Sequence, residues 1–207
     1  MDEPESVKVV LLGESGVGKT SIINQFVSGK FNPRISTSVS AQFVSKTREF
    51  PEFKKKIRFD IWDTVGQEKY RALTQIFYRD AKVIILVYDI TKVDTFNAIK
   101  DYWHKEVLNN VEGKPIMVLV ANKTDLYLNE AVNKNEGKQF ADKVNAMFQT
   151  TSAMNNEQIN TLFENIGKKI IDPVYDYQNS NQSRQDEKTV KLNKDNKNNI
   201  SKGKNCC

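Results

Sequence analysis

Apolar positions along this chain fall into two kinds of pattern, and together they predict an α/β fold. Residues 7–12 form a β-branched apolar run, and residues 83–87 (VIILV) and 116–120 (IMVLV) are continuous apolar stretches. Such runs suit parallel strands buried on both faces. Residues 42–48 and 56–60 alternate instead, which predicts two strands with one wet face, and residues 49–55 read as the turn of a hairpin. A last short strand is predicted at 147–152. Helical spacing appears at 22–27, at 94–111 with Phe96, Ile99, Tyr102 and Trp103 on one face, and at 131–144 and 159–171. Strands alternating with helices imply a doubly wound, mostly parallel sheet of six strands with helices on both faces. Ligands in such sheets bind beyond the carboxyl ends of the strands, and the polar loops after Leu12, Ile61, Val120 and Thr150 all lie there.

The first of those loops carries the strongest chemical signal. Gly13 to Thr20 reads GESGVGKT, between a predicted strand and a predicted helix. Gly16 and Gly18 lack a Cβ, so the backbone can curl around an anion with successive N–H groups turned inward. The helix that follows adds the positive end of its dipole. Lys19 is placed to reach the β- and γ-phosphates of a nucleotide, and the Thr20 hydroxyl is a ligand suited to Mg²⁺, a hard cation that prefers oxygen.

Two later loops extend the reading. Asp63 ends a strand three residues before Gly66, so its carboxylate can hold Mg²⁺ through water while Gly66 offers an N–H to a γ-phosphate. Asn122-Lys123-Thr124-Asp125 follows the strand at 116–120. A carboxylate at Asp125 can accept from both N1–H and the exocyclic amine of guanine, an arrangement of donors that adenine lacks. The stem of Lys123 can lie over the ring while its charge stays in water. Backbone N–H groups in Thr151-Ser152-Ala153 could bind the guanine carbonyl. The single histidine, His104, is expected at the surface of the third helix without a catalytic role, and Lys54-Lys55-Lys56 is expected to be a solvated turn.

Composition adds a boundary. The chain has 207 residues, enough for one α/β domain, and both cysteines are its last two residues, Cys206 and Cys207. A disulfide framework is therefore not expected. Seven basic and three acidic residues in 178–207 account for +4 of the net charge of +5. A nearly neutral globule with a basic tail does not suit nucleic acid; it suits anionic lipid head groups. The tail has few sizeable apolar residues and is read as a disordered tether, with the globular domain at 1–177. Neither a signal peptide nor a membrane-spanning stretch is legible, which places the chain in the cytosol or on a cytosolic surface.

GESGVGKT, WDTVGQE, NKTD and TSA, in this order and spacing, resemble a Ras-superfamily small GTPase with the P-loop G-domain fold. YRDAKVIILVYDIT and the terminal Cys-Cys resemble the Rab branch. The resemblance implies that Gly13, Ser15, Gly16, Val17, Gly18, Lys19, Thr20 and Ser21 hold the nucleotide's phosphates, with Thr20, Ser38 and Asp63 around Mg²⁺. Phe31, Asn122, Lys123, Asp125, Ser152, Ala153 and Met154 would surround the guanine. Residues 31–40 become switch I and 63–79 switch II, in which Gly66 meets the γ-phosphate and Gln67 orients the attacking water. Phe43, Trp62 and Phe77 match an aromatic triad at the effector face.

The same resemblance implies GTP as substrate, GDP and phosphate as products, and dual geranylgeranylation of Cys206 and Cys207. It implies exchange factors, activating proteins, a GDP-dissociation inhibitor, an escort protein and effectors of vesicle traffic as partners. Localisation would be the cytoplasmic face of an intracellular membrane, with a cytosolic pool. Three positions depart from the family pattern: Ser38 stands for Thr, Val65 for Ala and Met154 for Lys. Guanine binding is expected to survive all three, and hydrolysis rate is the property they bear on, chiefly through Val65. Two other classes remain open on the residues: a nucleotide-gated binding module that hardly turns over, and a small P-loop kinase, for which no arginine-rich lid is legible.

Overall fold

The computed structural model of the chain describes residues 3–33, 42–64 and 77–176. Ser38, Val65, Gly66, Gln67, the tail from 177 onward and both cysteines lie outside them, and the readings that depend on these residues are not addressed by the fold. The chain divides into two units, Met1–Ile171 and Asp172–Cys207. In the second, the described residues 172–176 form a short turn in which Tyr175 N–H donates to the Asp172 carbonyl at 3.0 Å.

The first unit is built on one six-stranded sheet in the order β2-β3-β1-β4-β5-β6. The strands are β1 (Glu5–Leu12), β2 (Gln42–Phe50), β3 (Lys55–Asp63), β4 (Val83–Asp89), β5 (Ile116–Asn122) and β6 (Met147–Thr151). β2 runs antiparallel to β3, and all other neighbours are parallel. Every residue of β4 is buried, as its unbroken apolar run requires. β2 and β6 are the two sheet edges, and from Phe43 to Glu49 the residues of β2 alternate between exposed and half-buried before Phe50 is buried. Its hairpin is tighter than expected: β2 continues to Phe50, a 3₁₀ turn occupies Pro51–Phe53, and β3 resumes at Lys55. Lys54 closes the turn in the left-handed region, φ 52°.

Helices cover both faces. On one face α1 (Lys19–Ser28) meets the last helix, α4 (Ile159–Ile171), where Phe26 stacks on Phe163 with centroids 3.6 Å apart and both rings meet Phe59 edge-on. On the other face lie α2, residues 93–110, and α3 (Lys134–Lys143). Phe96, Ile99, Trp103 and Val107 of α2 are buried with Val10, Leu12, Ile84 and Leu86 of the sheet. The α2 path is α-helical at Val93–Ala98 and His104–Asn110 but π-helical at Ile99–Trp103. There His104 N–H donates to the Ile99 carbonyl, five residues back. α3 starts later than its apolar period suggested, because Asn133 caps it: the Asn133 side chain accepts from Glu136 N–H at 3.0 Å. His104 is a correction. It is half-buried, with its ring 5.9 Å from Phe140, and burial followed by the charge of Lys105 lowers its pKa.

β1 lies between β3 and β4, so successive crossovers leave it toward opposite sides. The crevice beyond its carboxyl end is the topological switch point. The glycine-rich loop emerges there.

Candidate nucleotide site

The loop after β1 is shaped by its neighbours. Gly13 has φ 142°, and a Cβ on it would overlap the Val87 carbonyl oxygen of β4. Gly18 has φ 99°, and a Cβ there would overlap the Asn122 amide. Both positions therefore need glycine for space as well as for backbone conformation. Val17 is fully buried and anchors the loop, while Ser15 and Gly16 are exposed on its open side. Ser21 lies half-buried in the first turn of α1.

Lys19 folds back over the loop, donating to the carbonyls of Gly13 at 2.8 Å and Glu14 at 3.0 Å. Burial lowers its pKa to about 8, and the carboxylates of Asp63 and Glu14 oppose that fall. A desolvated cation at the mouth of an N–H cradle gains most from an anion. Thr20 Oγ1 donates to Asp63 Oδ2 at 2.5 Å, although 43 residues separate them in sequence. Asp63 is 2 % exposed, and the next residue, Thr64, donates to the Leu11 carbonyl at 2.6 Å, which ties the end of β3 to β1. A hydroxyl and a buried carboxylate converging at the phosphate loop form an all-oxygen donor set, the chemistry that Mg²⁺ prefers.

The loop after β5 is bonded directly to the phosphate loop. Asn122 Nδ2 donates to the Val17 carbonyl at 2.8 Å, and Asn122 Oδ1 accepts from Thr151 Oγ1 at 3.0 Å. Asn122 is thus a brace between the phosphate loop, β5 and β6 rather than a surface turn. Lys123 has φ 67°, which turns the chain, and its Nζ forms an ion pair with Asp89 Oδ2 at 2.6 Å. Burial raises the Asp89 pKa, but hydrogen bonds from Lys123 and Thr91 outweigh it and leave Asp89 below the ordinary carboxylate value. Asp125 accepts from the Ser152 hydroxyl at 2.5 Å, so the acid and the Ser152-Ala153-Met154 loop form one wall.

One expectation at that wall changes in detail. Ser152 N–H is engaged by the Glu157 carbonyl at 3.2 Å, which leaves the Ala153 and Met154 amides as the backbone donors for a base carbonyl. Ala153 is buried and Met154 is 59 % exposed. Phe31 follows α1 and is 37 % exposed. The three aromatics predicted for an effector face do form one strip: Trp62 lies 5.0 Å from Phe43 and 5.6 Å from Phe77 between centroids, and Phe43 is 55 % exposed rather than packed in the core.

Residue patterns missed three supports of this site. Asp89 ends β4, and its place beside the buried VIILV run was the available signal. Gln25 is a polar residue on the apolar face of α1; it is buried and donates to the Ala153 carbonyl at 2.9 Å, tying the base loop to the helix that begins at the phosphate loop. Glu14 accepts from Trp103 Nε1 at 3.0 Å across 89 residues, which no local pattern encodes.

The sequence matches the Ras family over residues 8–172. It is 43 % identical over 164 residues to the Ras-related protein RabJ of Dictyostelium discoideum, a match covering 79 % of this chain and 63 % of RabJ, under two thirds of that relative's length. It is 41 % identical over 164 residues to the Ras-related protein Rab-22A of Homo sapiens, covering 79 % of this chain and 83 % of the relative. A phosphate loop braced to an acid-bearing base loop at a sheet's switch point, together with this likeness, settles the family: the chain belongs to the Ras family, as a Rab-like small GTPase.

Proposed function

We propose that this chain is a guanine-nucleotide switch that binds GTP, hydrolyses it slowly to GDP and phosphate, and recruits effectors of vesicle traffic to a membrane. The observation that carries the reading is the continuity of the cleft. Asn122 joins the base loop to the phosphate loop, and Asp125 and Lys123 are each held by a named partner, Ser152 and Asp89. A base selected at one end is thereby registered with phosphates gripped at the other.

Gly13 and Ser15 to Ser21 would wrap the phosphates, Lys19 would give up its loop carbonyls for phosphate oxygens, and Asp125 would accept from the guanine edge. Phe31 and Lys123 would flank the ring, with the Ala153 and Met154 amides near its carbonyl. Thr20, Asp63 and Ser38 would hold Mg²⁺, which when bound offsets charge on the phosphates. Gln67 would orient the attacking water; the described arginines Arg48, Arg58 and Arg79 are paired with Glu164, Asp60 and Glu112, and an activating protein would supply the charge that fast turnover needs. Loss of the γ-phosphate would release residues 31–40 and 63–79 and remove the surface that effectors read beside Phe43, Trp62 and Phe77.

Among the described residues no helix is long and apolar enough to cross a membrane. Attachment would come from prenyl groups on Cys206 and Cys207, since two chains anchor stably where one is marginal, with the basic residues of 178–207 adding attraction to anionic lipid. Exchange factors, activating proteins, a GDP-dissociation inhibitor and an escort protein would complete the cycle. The test is direct: denature the purified protein, identify the released nucleotide by mass, then time GTP hydrolysis in Mg²⁺. Guanine nucleotide alone, and phosphate released to water, support the reading; adenine nucleotide held equally well, or none, refutes it.

A further inference from the structure

Glu14 sits within the phosphate loop, between Gly13 and Ser15, where a side-chain carboxylate is an unwelcome neighbour for a nucleotide's phosphates. The fold turns it elsewhere. Its carboxylate accepts from the indole Nε1 of Trp103 at 3.0 Å, while its own backbone carbonyl accepts from Lys19 Nζ at 3.0 Å. The same residue therefore touches helix α2 with its side chain and the phosphate-binding lysine with its main chain.

Trp103 is fitted to serve as a fixed point. It is fully buried, meets Tyr102 edge-on at 5.0 Å, and closes the π-helical segment Ile99–Trp103. A π-helical turn widens the helix and re-aims the side chains that follow it, and such turns concentrate at functional sites. An indole N–H buried in a core needs an acceptor, and a charged acceptor makes the stronger bond.

We propose that Glu14 and Trp103 are a pair of positioning residues: the indole draws the Glu14 carboxylate away from the phosphates and fixes the Glu14 carbonyl, so that Lys19 and the loop N–H groups keep the geometry that grips the β-phosphate. The pair acts through Lys19 and the loop, without touching nucleotide. This rests on the reading of the cleft as a guanine-nucleotide site.

The experiment compares GDP dissociation from full-length wild type, Glu14→Ala, Glu14→Gln, Trp103→Phe and the Glu14→Ala/Trp103→Phe double variant, followed with a fluorescent GDP in Mg²⁺. Loss of a hydrogen bond to a charged group should speed release about tenfold in Glu14→Ala and in Trp103→Phe. Glu14→Gln keeps an acceptor oxygen and should stay within about threefold of wild type. The double variant should release no faster than either single one, because both remove the same bond. GMP, which has no β-phosphate, should bind all folded variants with affinity equal to wild type in equilibrium competition.

Glu14→Ala releasing GDP like wild type, Glu14→Gln behaving like Glu14→Ala, multiplied effects in the double variant, or an equal loss for GMP would each overturn the pairing. Should Trp103→Phe fail to fold, the two Glu14 variants with GDP and GMP still decide it. A wild type that retains no GDP would strike the nucleotide reading itself, an outcome distinct from any of these.

Discussion

Asp89 and Asp125 are carboxylates of the same cleft put to opposite uses. Asp125, beside the Ser152 hydroxyl, can still accept two donors from a guanine edge. Two charge-assisted bonds at about 1.5–3 kcal/mol each imply that Asp125→Asn weakens GDP binding by roughly 10²–10⁴-fold, measured by displacement of fluorescent GDP. Asp89 is committed internally, with Lys123 Nζ at 2.6 Å and the Thr91 amide and hydroxyl at 2.9 and 2.7 Å. Its folded pKa lies below the ordinary 3.8, so the stability it adds is complete above that value and is lost as pH falls through the lower folded one. The unfolding midpoint of Asp89→Asn should therefore trail wild type at pH 7, and the gap should close as pH falls below 3.8. A gap that stays constant into acid would show that the ion pair is not its source.

At the scale of elements, apolar spacing predicted the six strands and helices α1 to α4, and it failed where a polar contact sets a boundary. Residues 131–133 share the period of α3, yet the helix begins at Lys134 because Asn133 supplies the capping oxygen. Asn133→Ala should cost about 1 kcal/mol, a fall in melting temperature of roughly 2–4 °C for a domain of this size. The π-helical stretch of α2 was equally hidden, since Phe96, Ile99, Trp103 and Val107 keep intervals that an ordinary helix would also bury. Gly167 was silent in the sequence for another reason. It lies on α4 where a Cβ would overlap the Phe50 ring at the end of β2, a contact between segments remote in the chain. Gly167→Ala should destabilise by about 1–3 kcal/mol, read by thermal or denaturant unfolding, despite the better helix propensity of alanine.

For the whole molecule, the meeting of the candidate motifs was legible wherever a strand end runs into a short polar stretch, because topology alone gathers those ends. GESGVGKT, Asp63, NKTD and the Ser152 loop all reach one crevice. What joins them was not legible: Gln25 to Ala153 and Glu14 to Trp103 are bonds between segments more than eighty residues apart. Turnover as proposed rests on residues outside the described ones, and it has its own test. Gln67→Leu should slow single-turnover phosphate release with little change in GDP affinity, and Val65→Ala should speed it if the branched side chain obstructs the water. Equal rates for wild type and Gln67→Leu would remove Gln67 from its assigned role.

The Asn122 amide fills the space that a side chain on Gly18 would need, while its oxygen is bonded to Thr151. The two rims of the cleft are therefore a single lever. If the cleft holds nucleotide as proposed, a protein that evicts it would need purchase at one rim only: prying β6 and its loop away would slacken the grip on phosphate, and pushing on the loop after β1 would unseat the base.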